Sequence, residues 1–108
     1  MKKVRLSRVR RAEAFLIRLI GLMGRTMWPR GYVGLWFPRC RSVHTFFTFL
    51  RPDLLFLGKN NKILTIFPAA GSWRVFIGPS GTKSCLELPR GTVKRLGLKK
   101  GDSIHLKF

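Results

Sequence analysis

Asp53-Leu54-Leu55-Phe56-Leu57 is the segment that most restricts the fold. Its four consecutive large apolar side chains must alternate between the two faces of a strand, so both faces need cover, as in a central strand. Pro52, just before it, has no N–H to give to a ladder, so the strand leading up to it is expected to be an edge or to bend there. Gly58-Lys59-Asn60-Asn61 then turns the chain, and Lys62 to Phe67 is expected to return as the hairpin partner. Further short β-like runs follow the same punctuation by Gly, Pro and Asn: Tyr32 to Phe37, Ser72 to Ile77, Ser84 to Leu88 and Ser103 to Phe108. Alternation places Trp73, Val75 and Ile77 on one face with Arg74 opposite, and Ile104, Leu106 and Phe108 inward with His105 and Lys107 outward.

Two pieces read as helical. Ala12, Phe15, Leu16, Leu19, Ile20 and Met23 recur at the spacing of one apolar helix face, with Gly24 as the stop. Packing on a sheet is the expected use of that stripe; with Arg11, Arg18 and Arg25 beside it, it would also suit a membrane-surface helix. Thr92 to Gly97 reads as a single helical turn, Thr92 capping it and Gly97 ending it. With 108 residues, one domain is expected over 12–108, preceded by a basic segment at 1–11. The fold class expected is mainly β (α+β): one compact domain, a small barrel or sandwich of six to seven short strands, with an N-terminal helix and a short C-terminal helical turn.

Charge restricts the partners. Lys and Arg number 22 against four acids, a net charge of +18. Self-repulsion at this imbalance opposes compaction, so an anionic counterpart stabilises the chain. Nucleic acid or another polyanion is the expected partner, an anionic membrane surface the less favoured one. No uncharged stretch of about 18 residues exists, which excludes a membrane-spanning helix on length. The basic start followed by Phe15-Leu16-Ile17 imitates a signal peptide, but Glu13 and Arg18 interrupt the apolar part. Cys40 and Cys85 make no disulfide framework and read as reduced thiols. A cytoplasmic setting is expected.

Three constellations could carry chemistry. His44 and Asp53 form a His–carboxylate candidate of the kind a general base needs. A straight strand puts them on opposite faces, and the structural alternative has Asp53 satisfying backbone N–H groups near a turn. Cys40-x-x-x-His44 with Cys85 or His105 is a metal candidate without the usual paired spacings. Arg39, Arg41, Arg51 and Arg74, with Phe46, Phe47, Phe49 and Trp73, set guanidinium groups beside rings, the composition of single-stranded nucleic-acid sites. Against it stands the need to bury most of nine phenylalanines in so short a chain.

Four pieces in register resemble a known family. They are Ala12-Glu13-Ala14-Phe15 with Gly21-Leu22-Met23-Gly24-Arg25; Arg39-Cys40-Arg41-Ser42-Val43-His44-Thr45-Phe46-Phe47 with Asp53-Leu54-Leu55-Phe56-Leu57; Trp73-Arg74; and Leu86-Glu87-Leu88-Pro89 with Gly91, Leu96-Gly97 and Gly101-Asp102. Together they resemble the domain of unknown function 192 family over nearly the whole chain. The resemblance implies a small, mainly β domain with an N-terminal helix and an activity that is unassigned. After its H-T-F signature the family places Met and then a basic residue, where this chain has Thr48-Phe49; Arg51 is the nearest cation. Asp53, Glu87 and Asp102 fall on motif positions, as though acids remain where the fold needs them.

The functional expectation is a non-enzymatic basic domain that contacts a polyanion without sequence specificity. Its candidate binding residues are Arg39, Arg41, His44, Arg51, Asp53, Trp73 and Arg74. The alternative is a small-molecule or protein-interaction domain with a cleft around His44 and Asp53, and the third reading is a peripheral membrane protein. No cofactor, metal or catalytic residue is implied.

Overall fold

All five residues of Asp53–Leu57 are buried, as the unbroken apolar run demands. The computed structural model describes residues 2–11, 31–44 (the side chain of His44 excepted), 51–71 and 74–108. Within them the elements in chain order are β1 Lys3–Leu6, β2 Val9–Arg11, β3 Gly34–Pro38, β4 Ser42–His44, β5 Asp53–Leu57, β6 Ile63–Phe67, β7 Val75–Ile77, β8 Ser84–Leu88, α1 Thr92–Leu96 and β9 Ser103–Leu106.

The described strands form three sheets. A five-stranded sheet runs β2-β3-β8-β5-β6, and two-stranded sheets pair β1 with β9 and β4 with β7. β5 lies between β8 and β6, antiparallel to both, with Leu55 opposite Leu86 and Ile66. Period-two alternation along β5 and β8 splits the core in two. Leu55, Leu57, Leu86 and Leu88 face a cluster completed by Leu6 of β1, Ile104 of β9 and Leu98. Leu54, Phe56 and Cys85 face the other, completed by Phe37, Cys40, Val43 and Ala70. Each apolar side chain of β5 contributes about 1.5–3 kcal/mol through this burial.

Several expectations are corrected. Among the described residues nine strands in three sheets stand where six or seven in a barrel or sandwich were expected, because the basic start itself pairs. Lys3 and Arg5 face out while Val4 turns inward and Leu6 is buried, so that segment is a strand with a charged face. The helix expected over Ala12 to Met23 lies outside the described residues. Val75 and Ile77 are exposed, with Phe76 turned toward the core. Phe108 lies beyond β9 and is exposed, its ring 5.5 Å from that of Trp36. Thr92 is not the cap of α1: Gly91, in a left-handed conformation, precedes the helix, and the Thr92 hydroxyl donates to the Pro89 carbonyl. Gly97 ends the helix as expected, at φ 65°, with its N–H on the Lys94 carbonyl and that of Leu98 on Val93.

Asp102 fastens β1 to the rest of the fold. Its carboxylate accepts the Lys2 N–H at 2.9 Å on one oxygen and the Lys99 N–H at 2.9 Å on the other. The Lys2 ammonium stands 3.9 Å from it and donates to the Gly97 carbonyl. The Lys2 N–H holds the Asp102 carboxyl below its ordinary value of 3.8; burial opposes this, and the Lys99 N–H and the Lys2 charge reinforce it. The folded protein therefore binds this proton less tightly than the unfolded chain. Its contribution to stability is complete above pH 3.8 and is lost as the pH falls through the lower folded value. Urea titrations at descending pH check this: wild type should lose more stability than Asp102→Asn below pH 3.8, and the two curves should run parallel above about pH 5.

Candidate anion-binding surface

Arg51 and Arg74 line one cleft of about 530 Å3 together with Phe67, Pro68, Ala69 and Phe76. Arg51 reaches it from the residue before Pro52, in a left-handed conformation at φ 45°, and Arg74 from the residue before β7. The wall is aromatic. Phe67 packs against Phe76 in a tilted pair at 4.9 Å between centroids and meets Phe56 edge-on at 6.0 Å. Arg74 crosses Gly71 closely: a Cβ built there would lie 3.4 Å from its Nε.

Asp53 builds one side of that cleft and does not face into it. It is 1% exposed. One carboxylate oxygen accepts the Ala69 N–H at 2.9 Å; the other accepts those of Gly91 at 3.1 Å and Val93 at 2.9 Å. Alongside, the Ala70 N–H reaches the Pro52 carbonyl at 2.8 Å. One acid thus joins the 67–71 loop, which lines the cleft, to the turn before α1. This is the backbone-satisfying role weighed for Asp53 in the sequence.

The remaining candidates are dispersed. Arg39, at φ 54°, and Arg41 are exposed around Cys40, and the Arg41 carbonyl accepts the Gly78 N–H at 2.7 Å. His44 ends β4 opposite Val75, in a different sheet from Asp53. Trp73 lies outside the described residues. Cys40 and Cys85 are free and buried, their thiols donating to the carbonyls of Ser42 and Cys40 at 3.0 Å each. His105 stands on β9 in register with Arg5 of β1, in a different sheet from Cys85 on β8 and from His44 on β4. Among the described residues no three His, Cys, Asp or Glu side chains gather as metal ligands.

Reading 1–11 as a charged segment hid a set of cations that the strands organise. Arg10 sits 5.7 Å from the Tyr32 ring centroid and Arg11 5.3 Å from that of Trp36. The signal was present: Lys3-Val4-Arg5-Leu6 alternates with period two, the pattern of a half-buried strand.

Comparison with known proteins places this fold. The family model DUF192, described as Uncharacterized ACR, COG1430, matches residues 2–106. The chain belongs to the DUF192 family. It is 31% identical to a UPF0127 protein of Thermococcus sibiricus, over 94% of this chain and 68% of that one. With a UPF0127 protein of Pyrococcus furiosus it shares 30% identity over 96% and 90%. Among solved structures, a Novosphingobium aromaticivorans protein of unknown function superposes at TM-score 0.73 and 25% identity, covering 88% of this chain and 71% of that one. A Sinorhizobium meliloti protein described as a candidate transcription regulator superposes at 0.71 and 31%, covering 86% and 76%. For this DUF192 domain the resemblance read from its motifs therefore holds, and so does the mainly β fold that it implied.

Asp53→Asn should be severe despite its size. An amide keeps one acceptor and turns an NH2 toward N–H groups that need one. A loss of about 2–3 kcal/mol in urea unfolding, with an unchanged denaturant slope, is expected; a loss under about 0.5 kcal/mol, as at an ordinary surface site, would remove the bridging role.

Proposed function

We propose that this DUF192 domain is a non-enzymatic binding module that grips the phosphate backbone of nucleic acid without reading its sequence. One observation carries the reading. Of the 22 lysines and arginines, Arg18, Arg25 and Arg30 lie outside the described residues, and the other 19 are all exposed. The acids run the opposite way: Asp53, Glu87 and Asp102 are at most 4% exposed. The described surface is thus cationic without interspersed carboxylates, which a polyanion relieves by neutralising it and releasing its own counterions.

The cleft of Arg51 and Arg74 sets two guanidinium groups beside phenylalanine rings, so it is assigned to phosphate contact. Arg39 and Arg41 extend the contact. The Sinorhizobium meliloti neighbour, as a candidate transcription regulator, agrees with a nucleic-acid partner. A cytoplasmic setting is part of this proposal. A ligand held between His44 and Asp53 is the weaker alternative, because it would draw Asp53 away from three backbone N–H groups.

Filter binding to duplexes of unrelated sequence tests the proposal. If about five phosphates are neutralised, log K should fall with log salt at a slope of roughly −4 to −5, alike for each sequence. Arg51→Gln with Arg74→Gln should flatten that slope by about 2, one for each lost phosphate contact. Salt-independent retention, or none at low salt, sinks the reading.

A further inference from the structure

A second cavity, of about 260 Å3, opens between β1, the turn after it and α1. Val4, Leu6, Val33 and Leu96 give it apolar walls, and Arg5, Arg8 and Arg95 line it as well. Among the described residues no carboxylate lines it. Among the described residues no hydrogen bond or ion pair engages these three guanidinium groups. Three permanent cations drawn from segments some ninety positions apart line one cavity, where an anion would be attracted to all of them.

Arg8 strengthens the case. It turns the chain at φ 61°, the left-handed region that glycine or asparagine enters at lower cost. Turn chemistry alone does not call for arginine there, whereas an anion in the cavity does.

We infer that this cavity is a binding site for a small phosphomonoester carrying a compact apolar group. The guanidinium forks match phosphate oxygens, and the walls take the apolar part. At about 260 Å3 the cavity has room for one phosphoryl group and a small ring. The site is separate from the cleft assigned to the polyanion, since neither Arg51 nor Arg74 lines it.

Calorimetric titration of the full chain with phenyl phosphate at low salt is the test. Saturable binding is expected, with inorganic phosphate at least roughly tenfold weaker because it leaves the apolar walls empty. Arg5→Gln and Arg95→Gln should each weaken phenyl phosphate roughly tenfold, the scale of one lost charge-assisted contact. Arg8→Gly should do the same while leaving the ligand-free unfolding midpoint unchanged or higher, which separates lost recognition from lost folding. Arg51→Gln with Arg74→Gln should bind phenyl phosphate as wild type does. Undiminished affinity in Arg8→Gly, equal affinity for inorganic phosphate, or binding lost only in the Arg51/Arg74 variant would each overturn the assignment.

Discussion

The buried carboxylate of Asp53 is the constraint on which the rest of this molecule is arranged. It stands at the head of the central strand and takes N–H groups from two loops that share no ladder. Each of those donors would otherwise be an orphan beside the core, and the hydrogen bonds to an ionised acceptor are the stronger kind. The arrangement couples both margins of the sheet: the loop after β6 forms one side of the Arg51 cleft, and α1, whose start Asp53 holds, presents Arg95 to the other cavity. Packing of β5 and polar satisfaction of its surroundings therefore stand or fall together.

Asp102 repeats the device at the opposite end of the chain, fastening β1 where Asp53 fastens the loops. With Asp53 and Asp102 committed to backbone and Glu87 buried, the described surface has no acidic side chains to separate its cations. That division explains how a chain of net charge +18 still folds. Neutralisation is spent where it orders backbone, and the remaining repulsion is spread over solvent, where screening is effective beyond about 10 Å at 0.1 M salt.

The central architecture was legible because its signals are local. The run at Leu54 to Leu57, the Gly58 to Asn61 turn and the short β-like run at Ser84 to Leu88 mark strands and their ends without help from distant residues. Gly97 likewise declares the end of α1. Less legible was everything that depends on remote pairing. Lys3 to Arg11 looks like a tail until β9 and β3 supply partners, and Val75 with Ile77 looks like a core face until Phe76 is seen to take it. Of the candidate site, the meeting of Arg51 with Arg74 came from folding a loop against β7. The cavity of Arg5, Arg8 and Arg95 left no trace in spacing, since its members come from opposite ends of the chain.

The pairing of β1 with β9 also sets an order of events during synthesis. Lys2 and the acid that holds it are 100 positions apart. At roughly 5–20 residues per second, the first strand made waits about 5–20 s for its partner to leave the ribosome. The middle sheet waits as well, because β8 must be threaded between β3 and β5 before either is covered. The β5–β6 hairpin, whose strands are adjacent in the chain, closes early. A nascent domain of this kind spends most of its translation time with basic strand edges open beside ribosomal RNA, so how soon it is released depends on when its last strand emerges.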